Sequence, residues 1–337
     1  GIKRPVARVI ASAAEYVDDA ILDSNVQMED GRHMLAEITA HKSIDYKNAD
    51  PDDQRRVWLP FHFLPGGSGQ SIDEKIVCGK DSPIAREMVR RNQDIARTAA
   101  YGHHLIGITA HVYADTFAHY GFIGANHPHN GVKDGSLKTQ TDSEDIQNYI
   151  WKKAKGMFTN ILASAISDAF PLGHGAVATF PDRPYLRWEY RRDEDGGHVV
   201  RDNRKDFLQG SKALYDMFKN YAAAMPQAAD PVGLRSWEEI RPVVQDILAI
   251  EADKAGRVQA WKNAMKAGIL TPASESIPGY LGGKWTKDIE EWHFRPSRAP
   301  AVGELVKSDV HLFYRAARTH RNMIITDLLP EKGILAA

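Results

Sequence analysis

The sequence predicts a mainly α protein, a multi-helix bundle with long ordered loops and one small β-hairpin. Three observations predict it. Apolar residues recur at helical spacing, as Val6, Val9, Ile10, Ala13, Ala14, Val17 and Ile21 do near the start. Helix starts are well marked, above all Asp81-Ser82-Pro83 with Glu87 soon after. A hairpin signal is found once, over residues 186–200 around Asp195-Gly196-Gly197.

Taken in order, a first helix is expected over residues 5–22 and a second from 31 to about 42. Residues 43–70 read as irregular, with Asp50-Pro51 and Pro65-Gly66-Gly67 as breakers around the apolar run from Val57 to Leu64. The pattern starting at Asp81 runs to about Gly121, a polar loop covers 126–143, and another helix spans roughly 144–169. Residues 171–190, rich in Pro, Gly and aromatics, form an ordered loop, and further helices are expected over 205–223, 236–267 and 301–328. There is no internal repeat. The chain is read as one large helical domain, 1–337, with a metal-site core over about 5–190 and a C-terminal helical extension over about 205–330.

With 43% apolar and 26% charged residues, a net charge of −1 and a pI near 7.0, no global field would hold nucleic acid or an anionic membrane. No stable nucleic-acid complex is expected, and no run is long and apolar enough to span a bilayer. No signal peptide is visible, but the chain opens at Gly1 and not at Met, so compartment stays unassigned, as does oligomeric state. One cysteine, Cys78, permits neither an internal disulfide nor a cysteine-based zinc site. Any metal must therefore rest on His, Asp and Glu.

The segment from Tyr101 to His119 carries the chemistry. At about 100° per residue, His104, Gly107, Ile108, His111, Asp115 and His119 fall on one side of a helix. Residues four apart are neighbours there, so His111, Asp115 and His119 form a ladder of potential ligands, with Gly107 leaving room for another element. The competing reading is a solvated stripe, or core histidines that are merely hydrogen-bonded. Leu105, Ile106 and Val112 make the helix apolar nearly all round, hence buried, and buried ionisable groups need partners. That favours metal.

Other candidates are scattered. His62 lies between Phe61 and Phe63, where an unpaired imidazole is costly. Asp19 shares a face with Arg8, Ser12, Glu15 and Asp23, the expected solvated side; Asp18 shares one with Ala7, Ala11, Ala14 and Ile21 and is the favoured ligand. His174 is flanked by Gly173 and Gly175, which suits delivery from a loop, and Asp182 could complete a site nearby. His103 and His104 are expected to support ligands from outside the site. His33, His41, His127, His129 and His198 stand in polar surroundings and are expected to be exposed. Arg315, Arg318, His320 and Arg321 read as a solvated helix face or a phosphate-friendly patch.

These residues together resemble the zinc-dependent phospholipase C and single-strand nuclease superfamily. Tyr16-Val17-Asp18-Asp19, the run from Trp58 to Gly66, the His111–His119 ladder and Leu172-Gly173-His174-Gly175 look most like an uncharacterised bacterial branch of it. The resemblance covers residues 16 to about 190. It implies a phospholipase C/nuclease-like bundle with two or three zinc ions. Asp18 (or Asp19), His62 and His111 would hold one ion, Asp115 would bridge to another, and His119, His174 and Asp182 would hold a separate one. The superfamily's third zinc uses the extreme N-terminus and an early histidine, which nothing before Asp18 supplies. Its carboxylate four residues beyond the later histidine is replaced here by Ala178.

The expected activity is hydrolysis of a phosphoric ester by metal-activated water, with a small phosphodiester or phospholipid head group as substrate. Asp115 would orient the ions and His104 would assist. The donor set suits zinc and also admits manganese or iron. The alternatives are a non-catalytic helical protein with a structural metal, or a degenerate homologue that only binds a ligand. A helical di-iron protein ranks last, because such sites show paired Glu-x-x-His motifs on facing helices.

Overall fold

The computed structural model describes residues 1–28, 30–42, 46–163 and 172–335, and the chain is mainly α. The longer helices are α1 (Arg4–Asp19), α2 (Pro83–Ala96), α3 (Gly102–His119), α4 (Glu144–Ala163), α5 (Asn203–Ala224), α6 (Trp237–Leu248), α7 (Lys254–Lys266), α8 (Gly282–Phe294) and α9 (Asp309–Asn322). A two-residue ribbon pairs β1 (Val26–Gln27) with β2 (His33–Met34). An antiparallel sheet runs in the order β3 (Lys138–Gln140), β4 (Arg187–Arg191), β5 (His198–Asp202).

α3 is apolar on every side and has 14 of its 18 residues buried, so the other helices pack around it. It is contacted by α1, α2, α5 and α9. The approach of α1 is the tightest. A Cβ at Gly107 would lie 2.4 Å from the Ile10 carbonyl oxygen and 2.7 Å from Ala13 Cβ, so only glycine lets the backbones meet. The C-terminal end of α3 meets a buried cation: Arg201 on β5 donates to the carbonyls of Ala118 (2.8 Å) and Tyr120 (3.1 Å). Helix ends leave such carbonyls without helical partners and favour positive charge.

The expected C-terminal extension is part of the same core. Tyr16 of α1 meets Trp285 of α8 and Phe313 of α9 edge-to-face, with ring centroids 5.1 and 4.8 Å apart. Each such pair contributes about 0.5–1.5 kcal/mol beyond area burial. His320 of α9 is fully buried; its Nε2–H donates to the Pro60 carbonyl (2.8 Å) while Nδ1 accepts from Asn92 (3.0 Å). α9 thereby fixes the turn that leads into His62.

The hairpin forms as expected, as β4 and β5. Several other expectations are corrected. The single pattern from Asp81 is two helices broken at 97–101, and 236–267 is two broken at 249–253. Residues 31–42 are not helical: they carry β2 and an extended run that crosses the end of α1, where Thr39 N–H and Oγ1 donate to the Ala20 and Val17 carbonyls. The irregular 43–70 stretch contains three joined helical turns, Pro51–Asp53, Gln54–Trp58 and Leu59–Phe61. The polar loop contributes β3, and α8 has no counterpart in the sequence reading. Of the helix expected over 144–169, the part after residue 163 lies outside the described residues.

Candidate metal centre

Two groups of ligand-capable side chains form around the C-terminal half of α3. The first is Asp18, His62 and His111; the second is His119, His174 and Asp182. Asp115 stands between them. Its Oδ2 lies 3.3 Å from His62 Nδ1, 3.3 Å from His111 Nε2 and 3.6 Å from His119 Nδ1.

In the first group, His62 Nδ1 and His111 Nε2 are 3.3 Å apart, and Asp18 Oδ1 is 3.8 Å from each. Zinc bonds of about 2.0–2.1 Å at tetrahedral angles set neighbouring ligand atoms roughly 3.3–3.4 Å apart. Two imidazole lone pairs facing at that separation repel unless a proton or cation lies between them. In the second group, His119 Nε2 is 3.0 Å from Asp182 Oδ1, and His174 Nε2 is 3.8 Å from Asp182 Oδ2.

Three of the four histidines have one ring nitrogen committed to a backbone carbonyl. His62 Nε2–H donates to Thr39 (2.9 Å), His119 Nδ1–H to His62 (2.8 Å) and His174 Nδ1–H to Ala178 (2.7 Å). Each donation fixes the tautomer and leaves the other nitrogen's lone pair turned towards its group, the usual support for a metal-ligating imidazole. Ala178, with φ +50 and ψ −132, holds a conformation that costs a non-glycine residue about 1–3 kcal/mol, and its carbonyl is the one His174 uses. Phe63 stacks on His119 at 4.8 Å between ring centroids and lies 5.7 Å from His174. Asn203, fully buried, donates to the Phe180 and Arg183 carbonyls (2.7 and 2.8 Å) and so holds the loop that presents Asp182.

The electrostatics follow from crowding. Burial pulls His111 down, but Asp115 and Asp18 outweigh it and carry the imidazole up to about 9. Burial acts likewise on His119, and Asp115 with Asp182 carries it up to about 9. Burial pushes Asp115 up, yet His111 and His119 hold it far below the usual carboxylate range. Burial dominates at His174, which is lowered despite Asp182. Such sites hold protons in the absence of metal and must release them to bind one.

Asp18, His62, His111, Asp115, His119, His174 and Asp182 thus meet as two adjoining groups. Asp19 does not join them: it accepts from Tyr280 (2.6 Å). Ser12, placed by phase on the solvated side, is buried and accepts from Leu281 N–H. His104 is also outside. Its Nε2 pairs with Asp309 (3.1 Å), 205 positions along the chain and beside Trp285, away from both groups. His103 pairs with Tyr221. His41 is buried, 3.7 Å from Asp53, and His127 and His129 are half-buried. The patch on α9 dissolves into separate pairings: Arg318 and Arg321 bind the buried Glu37, Arg315 covers Tyr101, and His320 is internal. The one Glu-x-x-His spacing, Glu290 to His293, lies on α8 with His293 donating to the Asn25 carbonyl. Thr39 and Asn203 carry no motif, and the roles of Phe63 and Ala178, although both fall in segments the sequence singles out, are not read from it; the positive φ of Ala178 and the backbone bonds of Thr39 and Asn203 are visible only in three dimensions.

Residues 1–328 match DUF6765, a family of unknown function. The chain belongs to DUF6765. No curated protein and no solved structure matches it. Among the described residues of this DUF6765 chain, no helix is long and apolar enough to cross a membrane.

Proposed function

We propose that this protein is a metal-dependent phosphoric ester hydrolase, with zinc in the two groups and a small phosphodiester or phospholipid head group as substrate. The observation that carries the reading is the packing of His62 Nδ1, His111 Nε2 and Asp115 Oδ2 at 3.3 Å from one another, with the unused ring nitrogen of His62 tied to a carbonyl. Ligand atoms so spaced, and imidazoles so locked, fit a small divalent cation better than a hydrogen-bonded core.

The two groups differ in what they leave open. Asp18, His62, His111 and Asp115 offer four donors, enough to close a tetrahedral shell. His119, His174 and Asp182 offer three, the number that leaves a position for water or substrate in catalytic zinc sites. Zinc there would polarise the phosphoryl group and acidify the attacking water. Asp115 sets the spacing between groups. Phe63 gives the second group an apolar floor, and the side chains of Asp18 and Asp182, 60% and 43% exposed, leave both groups open to solvent on one side. That opening argues against a purely structural metal.

The test combines metal analysis with hydrolysis of bis(p-nitrophenyl) phosphate. Bound zinc and hydrolysis abolished by a chelator are the expected results. Asp115→Ala should lower metal affinity by roughly 10- to 100-fold and hydrolysis with it. Hydrolysis unchanged by that substitution removes Asp115 from the mechanism; a metal-free, inactive protein removes the proposal.

A further inference from the structure

Immediately after Asp182 stands Arg183, nine-tenths buried. It donates to Tyr185 Oη (3.2 Å) and Thr179 Oγ1 (3.0 Å), but its buried Nε has no hydrogen-bond partner. Arg257, in the first turn of α7, is half-buried, and its buried Nε is likewise without a partner. Neither arginine has a carboxylate within ion-pair reach among the described residues. What surrounds them is aromatic. Arg183 lies 5.3 Å from the ring centre of Tyr149, Arg257 5.6 Å from that of Tyr185, and Lys153 approaches Tyr149 from 5.9 Å.

Three cations therefore alternate with two tyrosines beside the second metal group; Asp182 acts on Arg257 from a distance, and none of the three forms an ion pair among the described residues. Cation–π contact offsets part of the desolvation, by about 0.5–2 kcal/mol each, but does not supply a hydrogen-bond acceptor. Burial pulls Arg257 below the usual guanidinium range and Arg183's charge adds to it, against the opposing effect of Tyr185, Tyr149 and Asp182. An oxyanion would supply acceptors for the free guanidinium N–H groups. A guanidinium's planar fork matches phosphate with two parallel N–H···O bonds, which a lone ammonium does not.

We propose that Arg257, with the deeper Arg183, forms a phosphate-binding site adjoining the His119–His174–Asp182 group and holds a phosphate of the substrate or product. The role in turnover rests on the hydrolase reading; the binding itself does not, because both donors belong to the metal-free chain. A nucleotide and a glycerophospho head group present the same phosphate chemistry.

The test is calorimetric titration of the full chain, chelator-treated and zinc-supplemented, with inorganic phosphate, glycerol phosphate and a nucleoside monophosphate. Phosphate should bind the chelator-treated chain, and Arg257→Ala should weaken it by about tenfold, the loss of roughly one charge-assisted hydrogen bond. Arg257→Lys, which keeps the charge without the fork, should recover only part, and it decides the matter if the alanine variant fails to fold. Tighter binding of glycerol phosphate or of the nucleotide than of inorganic phosphate supports the site and names its source. No phosphate binding by the chelator-treated wild-type chain, or equal binding by Arg257→Ala and wild type, overturns the proposal. Absence of zinc and of hydrolysis, with phosphate binding intact, would count against the hydrolase reading alone.

Discussion

Gly173 has φ +53, and a Cβ there would fall 2.2 Å from Cζ of Phe63, the ring on which His119 stacks. Gly173→Ala therefore combines backbone strain with a forced shift of that ring, and should destabilise the fold by about 2–4 kcal/mol, read from the denaturant midpoint. Unchanged stability would mean that the Phe63 ring is free to move and is no fixed floor. Cys78 is buried, and burial pushes its thiol far above the ordinary range, so native protein should not react with a thiol reagent until unfolded. At this scale the sequence is legible where a residue's neighbours are local. His111, Asp115 and His119 share one helix, and period 3.6 alone places them together. Asp18 faces the first group for another reason than the one phase suggests: its side chain is 60% exposed, Ala11 of the same face is exposed and Ser12 of the opposing set is buried, so period 3.6 does not separate it from Asp19. His104 shows the limit: helical phase sets it beside His111, but its partner Asp309 is contributed by a distant helix that no local pattern announces.

Between elements, the decisive contact is α1 against α3 at Gly107. Gly107→Ala would put a methyl group 2.4 Å from the Ile10 carbonyl, forcing α1 outward and carrying Asp18 away from His62 and His111. The expected result is a loss of about 1–3 kcal/mol in stability, with metal affinity lowered at the first group more than at the second. Equal loss at both groups would show that α1 supports more than Asp18. Element boundaries were less legible than element types. The breaks at 97–101 and 249–253 leave the apolar spacing on either side intact, so periodicity reads through them. Residues 31–42 have helical spacing but lie extended, because Thr39 is needed across the end of α1, where its carbonyl accepts from His62. Tertiary demand overrides propensity there.

For the whole molecule, buried titratable groups make stability depend on pH. Burial holds His320 down at about 4, against an unfolded value near 6.5, so it is neutral when folded. The unfolded chain takes up the proton first as pH falls, so the His320 contribution to stability rises with pH across the window from about 4 to 6.5 and is lost in that window on acidification, whereas His111 and His119, raised to about 9, act in the opposite sense above it. The contribution is about 3 kcal/mol. His320→Gln, which keeps a donor and an acceptor, should be less stable than wild type at neutral pH but show a shallower acid slope between those limits. Identical slopes would mean that other groups govern acid unfolding. On the hydrolase reading, free zinc at about 100 times Kd adds about 2.7 kcal/mol per site, and a chelator should lower Tm accordingly.

His62 belongs to both halves of the centre. Its Nδ1 faces Asp18, His111 and Asp115, while its main-chain oxygen accepts from Nδ1 of His119, which heads the other half. Any cation that stiffens His62 on one side thereby orders the imidazole on the other, and thermodynamic reciprocity requires the same favour in return. Uptake would then be sigmoidal with filling in pairs, and half-loaded chains would be scarce at intermediate metal concentrations.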